Sequence, residues 1–188
     1  MLYIISGASR SGKTILAKRL SKQKGISYLS LDWLMMGFTN GIPEYGIHDK
    51  LFPDEIAERM WSFLKAMIES MIHVQTDCVI EGEAVLPELI TELMQKYPND
   101  LSICFLGFID VDVLKKTKEI KAHSLRENDW LTNESDEYIM DHVKNMIVHS
   151  LRIKRSCDKY NFRYVDTSAN FPKSLQIAEK YLIEKFPQ

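Results

Sequence analysis

The sequence predicts an α/β fold in which a mostly parallel β-sheet carries helices on both faces. Short apolar runs of strand length alternate with longer amphipathic stretches along the chain, which is typical of such sheets. A glycine-rich motif lies between the first apolar run and the first amphipathic stretch. Because the chain has 188 residues and no linker rich in Gly or Ser, we predict a single domain over residues 1–188.

Five strands follow from the apolar runs, and six helices follow from the amphipathic stretches. The predicted strands cover residues 2–6, 27–31, 78–81, 102–108 and 163–166. The predicted helices cover residues 14–24, 54–73, 86–96, 111–123, 135–160 and 174–185. The run 103–109 contains no charged residue and is nearly all apolar, as expected of a strand buried on both faces of a parallel sheet.

The composition is that of an ordinary globular protein, with 45% hydrophobic and 27% charged residues. The 24 basic and 26 acidic residues nearly cancel, whereas a general nucleic-acid or membrane-surface binder normally has a basic excess. We therefore expect neither nucleic acid nor membrane as a partner. The composition gives no prediction of the oligomeric state.

The cysteines and the N-terminus indicate the compartment. Cys78, Cys104 and Cys157 are odd in number and far apart, which fits neither a disulfide framework nor a CxxC metal site. The apolar runs are too short to span a bilayer, and Gly7 and Arg10 interrupt the N-terminal run before it could form a signal peptide. The expected location is the cytoplasm.

The glycine-rich motif matches the P-loop pattern G-x-x-x-x-G-K-[ST]. Its residues are Gly7, Ala8, Ser9, Arg10, Ser11, Gly12, Lys13 and Thr14. Glycines permit torsions that turn backbone N–H groups inward around an anion, and the following helix N-terminus adds partial positive charge. We interpret all eight residues as binding the phosphates of a nucleoside triphosphate; a glycine-rich turn without a ligand is the alternative.

Two residues of the motif are expected to have individual roles. Lys13 would bridge the β- and γ-phosphates and act in catalysis, and the Thr14 hydroxyl would ligate Mg²⁺. The sequence contains neither the Asn-Lys-x-Asp motif of GTPases nor an LSGGQ-type transporter signature, and it is short for a motor or an AAA-type ATPase. Among the classes of nucleotide-binding protein, a small kinase and a nucleotide-regulated module remain as candidates.

Acidic residues follow two predicted strands at the edge where open α/β sheets bind ligands. Asp32 follows the second strand. Glu81 ends the third strand, and Glu83 lies two residues after it. Phosphoryl transfer needs one carboxylate for the acceptor hydroxyl and another for Mg²⁺ or its waters. We interpret Asp32 as catalytic, with a helix N-cap as the alternative. Glu81 is interpreted as a metal-site residue, and the role of Glu83 stays open.

A basic stretch between the fourth strand and the long helix predicts a small lid over about residues 115–134. Its basic residues are Lys115, Lys116, Lys118, Lys121 and Arg126, against the single acid Glu119. Arg126 is the catalytic candidate, because a guanidinium can bind phosphate oxygens in a bidentate manner. A solvated helix face is the alternative for the lysines.

The acceptor is expected to bind to residues 33–75. This region is rich in aromatic side chains, and between residues 33 and 73 its Lys and Arg residues are Lys50, Arg59 and Lys65. A phosphorylated acceptor would require an arginine clamp. The scarcity of arginine favours a neutral, hydroxyl-bearing acceptor over a nucleoside monophosphate, although core packing explains the aromatic residues equally well.

Taken with Asp32 and the basic lid, the P-loop and the strand end Val79-Ile-Glu-Gly82 resemble the small P-loop kinases. This group includes adenylate, shikimate and gluconate kinases and chloramphenicol phosphotransferase. The resemblance covers the whole chain in element order, with motif-level specificity in the P-loop alone. It implies a three-layer P-loop NTPase fold, a parallel five-stranded sheet with the P-loop strand at its centre, and a closing lid.

The same resemblance implies ATP and Mg²⁺ as cofactors and assigns roles to several residues. Glu81 and Gly82 would contact waters of Mg²⁺, and Asp32 would meet the acceptor hydroxyl. The backbone around Thr167 and Ser168, after the last strand, would border the adenine. Two departures separate the chain from nucleotide kinases: Thr14 is not followed by the Gly-Thr of adenylate kinases, and the lid stretch has a single arginine.

The sequence therefore predicts an ATP- and Mg²⁺-dependent kinase that phosphorylates a hydroxyl of a small molecule. A nucleoside monophosphate kinase is one alternative. A non-catalytic ATP-binding regulatory module is the other.

Overall fold

The five strands form one parallel sheet in the computed structural model, which describes residues 1–124, 130–131 and 133–184. The strands are β1 (Leu2–Gly7), β2 (Ser27–Ser30), β3 (Cys78–Glu81), β4 (Leu101–Gly107) and β5 (Arg163–Asp166). Their order is β2-β3-β1-β4-β5, so the strand that leads into the glycine-rich loop is central. The predicted five-stranded parallel sheet is confirmed.

Seven α-helices lie in the described part of the chain. They are α1 (Lys13–Lys24), α2 (Leu31–Gly41), α3 (Pro53–His73), α4 (Pro87–Lys96), α5 (Val113–Ser124), α6 (Asp136–Tyr160) and α7 (Phe171–Glu184). A short 3-10 helix, Pro43–Tyr45, follows α2. Over the same described residues, we find no helix with the length and apolarity needed to cross a membrane.

Helix α2 is the main difference from the predicted elements. The predicted second strand extends to residue 31, whereas β2 ends at Ser30 and α2 begins at Leu31 without a connecting loop. The segment does carry apolar residues at helical spacing: Leu31 is buried, and Leu34, Met35 and Phe38 are partly buried against the core. It also contains Gly37 and Thr39, both of low helix propensity.

The strands alternate their side chains between two apolar cores, one on each face of the sheet. Ile4 and Phe105 belong to the core shared with α3, α4 and α6. Ile5 and Leu106 belong to the core shared with α1 and α7. This alternation has the period of two residues that β-strands impose. Helices therefore cover both faces, which confirms the predicted three-layer arrangement.

The register of the sheet brings the carboxyl ends of its strands to one edge. Glu81 of β3 lies opposite Ser30 of β2 and Ile5 of β1. Across the sheet, Gly7 pairs with Leu106, and the next residue of β4 pairs with the last residue of β5. Residues that are far apart in the sequence but follow these strands therefore meet at this edge.

The three cysteines are free and buried. Burial raises the pKa of each thiol, to about 12 for Cys104. Cys78 and Cys104 lie on strands of the sheet, and Cys157 lies on α6. They contribute to packing and form no disulfide, as the sequence predicts.

Candidate functional site

The glycine-rich loop begins at a residue that has no room for a side chain. Gly7 has φ +127°, and a Cβ atom there would lie 1.9 Å from the backbone oxygen of Leu106. The next residue, Ala8, donates its N–H to that same oxygen over 2.9 Å. The start of the loop is thus fixed against β4, where only glycine combines the torsion with the close approach.

Replacing Gly7 with Ala is expected to destabilise the protein by about 3 kcal/mol, because the added methyl group overlaps the β4 backbone. Urea denaturation measures this change. Gly37→Ala is a matched control, since Gly37 lies within α2 and has open space around its Cα. That control should leave stability unchanged or raise it by about 0.5 kcal/mol. Equal stability of the two variants would contradict the fixed geometry of the loop.

The loop ends at the N-terminus of α1, where its backbone can bind an anion. Gly12 is the N-cap, with φ +98°, and a Cβ there would lie 2.8 Å from the ring of Phe171. No side chain caps this helix, and the N–H groups of its first turn lack intrahelical acceptors. Within the loop, Arg10 has φ +59° and Ser11 Oγ donates to the Ala8 oxygen over 2.7 Å. Positive φ angles beside uncapped helix N–H groups are the backbone features found in anion-binding nests.

Lys13 is held over the loop by its own hydrogen bond. Its side chain is buried, and Nζ donates to the backbone oxygen of Ala8 over 2.8 Å. The same Nζ lies 3.4 Å from Oε1 of Glu83. The Lys13 ammonium therefore lies between the loop backbone and the Glu83 carboxylate.

Thr14 and Glu81 come together although 67 residues separate them. Thr14 Oγ1 donates to Glu81 Oε2 over 3.1 Å. Glu81 is only 1% exposed, and its Oε1 has no hydrogen-bond partner among the described residues. A buried carboxylate oxygen without a partner is costly unless a water or cation satisfies it. The pair therefore fits Mg²⁺ with its bound waters, because Mg²⁺ prefers oxygen ligands such as a hydroxyl and a carboxylate.

No group of three or more His, Cys, Asp or Glu side chains within the described ranges is arranged to hold a metal ion by itself. Mg²⁺ does not need such a group, because it keeps several waters and takes further ligands from substrate phosphates. A threonine hydroxyl with one carboxylate is consistent with that mode of binding.

Asp32 lies in the first turn of α2 and faces the cavity. The N-cap of this helix is Ser30, so the alternative interpretation of Asp32 as an N-cap is wrong. Desolvation by the surrounding protein raises the pKa of Asp32, the charge of Lys13 lowers it, and the charges of Glu83 and Glu81 raise it. The net pKa shift is upward, which favours a carboxylate that can take up a proton.

These residues line one cavity of about 950 Å³ at the carboxyl edge of the sheet. The loop residues and the carboxylates form one wall, and α5 forms another with Lys115, Lys116, Glu119 and His123. The Lys116 ammonium lies 5.0 Å from the ring centre of Phe108, and burial lowers its pKa. Lys115 and Lys116 of the predicted lid thus line the cavity, whereas Lys121 forms an ion pair with Asp136.

Trp130 connects the predicted lid region to the loop. Its ring lies 5.7 Å below the guanidinium of Arg10, a distance typical of a cation–π contact. The same ring packs edge-on against His142 at 5.1 Å. Arg126, the predicted catalytic residue of the lid, lies outside the described residues.

The segment after β5 is fixed against the end of β4. Thr167 is buried, and its Oγ1 donates to the Gly107 oxygen over 3.1 Å. Ser168 Oγ accepts the N–H groups of Ile109 and Asp110 over 2.9 and 3.0 Å. Thr167 and Ser168 line the cavity, as do Val111 and Asp112 after β4. The backbone N–H groups of Thr167 and Ser168 also donate within the protein, to the Gly107 oxygen and to Asp166 Oδ1, so both residues are held firmly in place.

A charged cluster between α3 and α6 is not predicted by the sequence. Asp54, in the first turn of α3, forms an ion pair with Arg152 of α6. Its Oδ1 lies 3.4 Å from Nε2 of His149, which is 8% exposed. The spacing of three residues between His149 and Arg152 on a helix is a weak signal for a shared face. The sequence gives no signal that Asp54 lies opposite them.

Structures with the same architecture include two enzymes. A gluconokinase from Sinorhizobium meliloti 1021 is 14% identical, with a TM-score of 0.56 over 96% of this chain and 90% of that one. A shikimate kinase from Bacteroides thetaiotaomicron is also 14% identical, with a TM-score of 0.54 over 96% of this chain and 97% of that one. Neither a protein-family model nor a curated protein sequence matches the chain. The sheet order, the P-loop and these similarities agree: the chain has the fold of the small P-loop kinases.

Proposed function

We propose that the protein is an ATP- and Mg²⁺-dependent kinase that transfers the γ-phosphoryl group to a hydroxyl of a small molecule. One observation carries the proposal: Lys13, Thr14, Asp32 and Glu81 come from three elements and line the same cavity. An anion-binding loop, a metal-site carboxylate and a second carboxylate for the acceptor are the parts that phosphoryl transfer requires.

The loop would bind the triphosphate of ATP. Its N–H groups would surround the phosphate oxygens, and the Lys13 ammonium would move its hydrogen bonds from Ala8 and Glu83 to the β- and γ-phosphates. The fixed backbone of Thr167 and Ser168 would border the base. We retain Arg126 as the proposed lid group that binds the transferring phosphoryl group.

Thr14 and Glu81 would hold Mg²⁺ at the mouth of the loop, as the unpartnered Oε1 of Glu81 supports. When bound there, Mg²⁺ would neutralise charge on the β- and γ-phosphates. Asp32 would orient the acceptor hydroxyl and accept its proton. The acceptor oxygen forms a bond to the γ-phosphorus, the bond from that phosphorus to the bridging oxygen breaks, and its electron pair leaves with ADP.

A screen of acceptors tests the proposal by following ADP release with ATP and Mg²⁺. Neutral hydroxyl compounds, hydroxy acids and nucleoside monophosphates form the three groups of candidates. We expect at least one hydroxyl compound to raise the rate of ADP release well above the rate in water alone. Rapid turnover of a nucleoside monophosphate would instead indicate a nucleotide kinase. Tight ATP binding without ADP release in the presence of any candidate acceptor would indicate a regulatory module.

A further inference from the structure

Arg10 has a backbone torsion that the loop requires but that arginine rarely adopts. Its φ is +59°, in the left-handed region where glycine has no steric penalty and other residues do. Two more non-glycine residues in the described part of the chain have positive φ, Gln75 and Asn161, and they lie just after the ends of α3 and α6, where this torsion is usual. Arg10 lies instead inside the loop between Gly7 and Gly12. A side chain at a position that suits glycine better indicates a use for that side chain.

The Arg10 side chain faces the cavity and is positioned by an aromatic ring. Arg10, Lys13 and Trp130 all line the cavity. The guanidinium carbon lies 5.7 Å from the ring centre of Trp130. Two rings hold this indole edge-on, His142 at 5.1 Å and Tyr138 at 6.4 Å. A cation–π contact involves no hydrogen-bond acceptor, so Trp130 positions the guanidinium without engaging its N–H donors.

The two ends of the loop face different parts of a bound nucleotide. Gly12 packs against the ring of Phe171, which shares one wall of the cavity with Thr167 and Ser168, the residues proposed to border the base. The Lys13 ammonium, which would bind the β- and γ-phosphates, lies instead at the backbone oxygen of Ala8. The γ-phosphate would therefore lie near the Ala8 end of the loop.

Arg10 is within reach of that end. Two residues separate it from Ala8, so their Cα atoms are at most about 7 Å apart. The side chain already enters the cavity on this loop. Negative charge builds up on the oxygen between the β- and γ-phosphorus atoms as their bond breaks, and a planar guanidinium can donate to this oxygen and a γ-phosphate oxygen at once. An arginine supplied by the same chain is one known way to stabilise this charge.

We propose that the Arg10 guanidinium is a catalytic group that binds the γ-phosphate and the oxygen bridging it to the β-phosphate. The acceptor oxygen forms its bond to the γ-phosphorus, the bond to the bridging oxygen breaks, and the electron pair stays on the ADP oxygen to which Arg10 donates. Arg10 keeps all its protons. Trp130 is a positioning residue that holds the guanidinium before ATP binds. The inference rests on the kinase reaction proposed above and adds an arginine of the loop itself to that site.

Arg10→Gly tests the side chain without altering the loop. Glycine keeps the backbone N–H and adopts the torsion without strain, so the thermal midpoint should stay within about 3 °C of wild type. Calorimetry with Mg²⁺ compares ADP with adenylyl imidodiphosphate, a non-hydrolysable ATP analogue. We expect ADP affinity within about twofold of wild type, and a loss of about tenfold in the affinity for the analogue relative to ADP. The rate of ADP release, with the acceptor from the screen or with water, should fall about 10²- to 10³-fold.

Further variants separate a catalytic role from a structural one. Free guanidinium ion at millimolar concentration should restore part of the rate of Arg10→Gly and none of the rate of Lys13→Ala. Trp130→Ala should reduce the preference for the analogue, and Trp130→Phe should retain most of it, since a phenyl ring also offers a π face. Arg19→Gln is the control, because Arg19 pairs with Glu179 on the far side of α1 from the loop and should leave both affinities and the rate unchanged.

The outcomes distinguish this inference from the kinase proposal. An unchanged ratio of the two affinities in Arg10→Gly would overturn the inference, as would an equal loss for ADP and the analogue, which would assign Arg10 to the structure of the loop. Transfer to an acceptor at the wild-type rate by Arg10→Gly would overturn the inference and leave the kinase reaction intact. A lost preference for the analogue, with no acceptor found, would support the γ-phosphate contact and overturn the kinase reaction. Failure of the wild-type protein to bind either nucleotide would overturn both.

Discussion

Lys13→Ala is expected to lower kcat/KM for phosphoryl transfer about 10³-fold, because the ammonium stabilises charge that develops on the phosphates. The side chain is buried and bonded to the Ala8 oxygen of the loop, and ATP binding would exchange that hydrogen bond for bonds to the phosphates. Steady-state kinetics with the acceptor found in the screen measure the loss.

The matched control is Lys22→Ala, which removes an ammonium from the exposed last turn of the same helix. It should leave kcat/KM within about twofold, since surface charges away from special features have small effects. Circular dichroism and thermal unfolding check that both variants fold. A folded Lys13→Ala protein that keeps wild-type kcat/KM would contradict the proposed role of the loop.

Asp32→Asn is expected to abolish most transfer, by about 10²- to 10⁴-fold in kcat, and to leave ATP affinity nearly unchanged. The amide keeps the size of the side chain but cannot accept the hydroxyl proton. Isothermal titration calorimetry measures ATP binding, and ADP release measures transfer. Asp158→Asn, an exposed change on α6, is the control and should retain full activity.

The pH dependence gives this prediction a second readout. A general base acts in its deprotonated form, and the pKa of Asp32 is raised, chiefly by desolvation. The rate should therefore fall on acidification through a pKa above the ordinary aspartate range, and this acidic limb should be absent from the residual rate of Asp32→Asn. Near-normal turnover in the Asn variant would mean that another group takes the proton.

The parts of the fold that sequence analysis predicts are those that local pattern determines. The strand runs are bounded by clear changes of polarity, and the alternation of Ile4 and Ile5 between two cores follows from strand geometry. The P-loop is predictable because its torsions demand Gly7 and Gly12 at fixed spacing. The convergence of Asp32 and Glu81 follows from the rule that parallel strands share a carboxyl edge.

Other features depend on contacts between distant segments, which spacing does not encode. No loop separates β2 from α2, and Gly37 and Thr39 lower the helix propensity of α2. The approach of Asp54 to His149 depends on how α3 packs against α6 in three dimensions. The position of Glu83 depends on the close packing of Gly82 against Leu31, which is visible only when the end of β3 and the start of α2 are placed.

The most direct test of the central claim is phosphorus NMR of the protein with ATP, Mg²⁺ and a mixture of small hydroxyl compounds. We expect a new phosphomonoester resonance that grows in step with ADP and is absent with Lys13→Ala. Formation of ADP with inorganic phosphate alone, or no loss of ATP by folded protein, would contradict the proposed transfer to an acceptor hydroxyl.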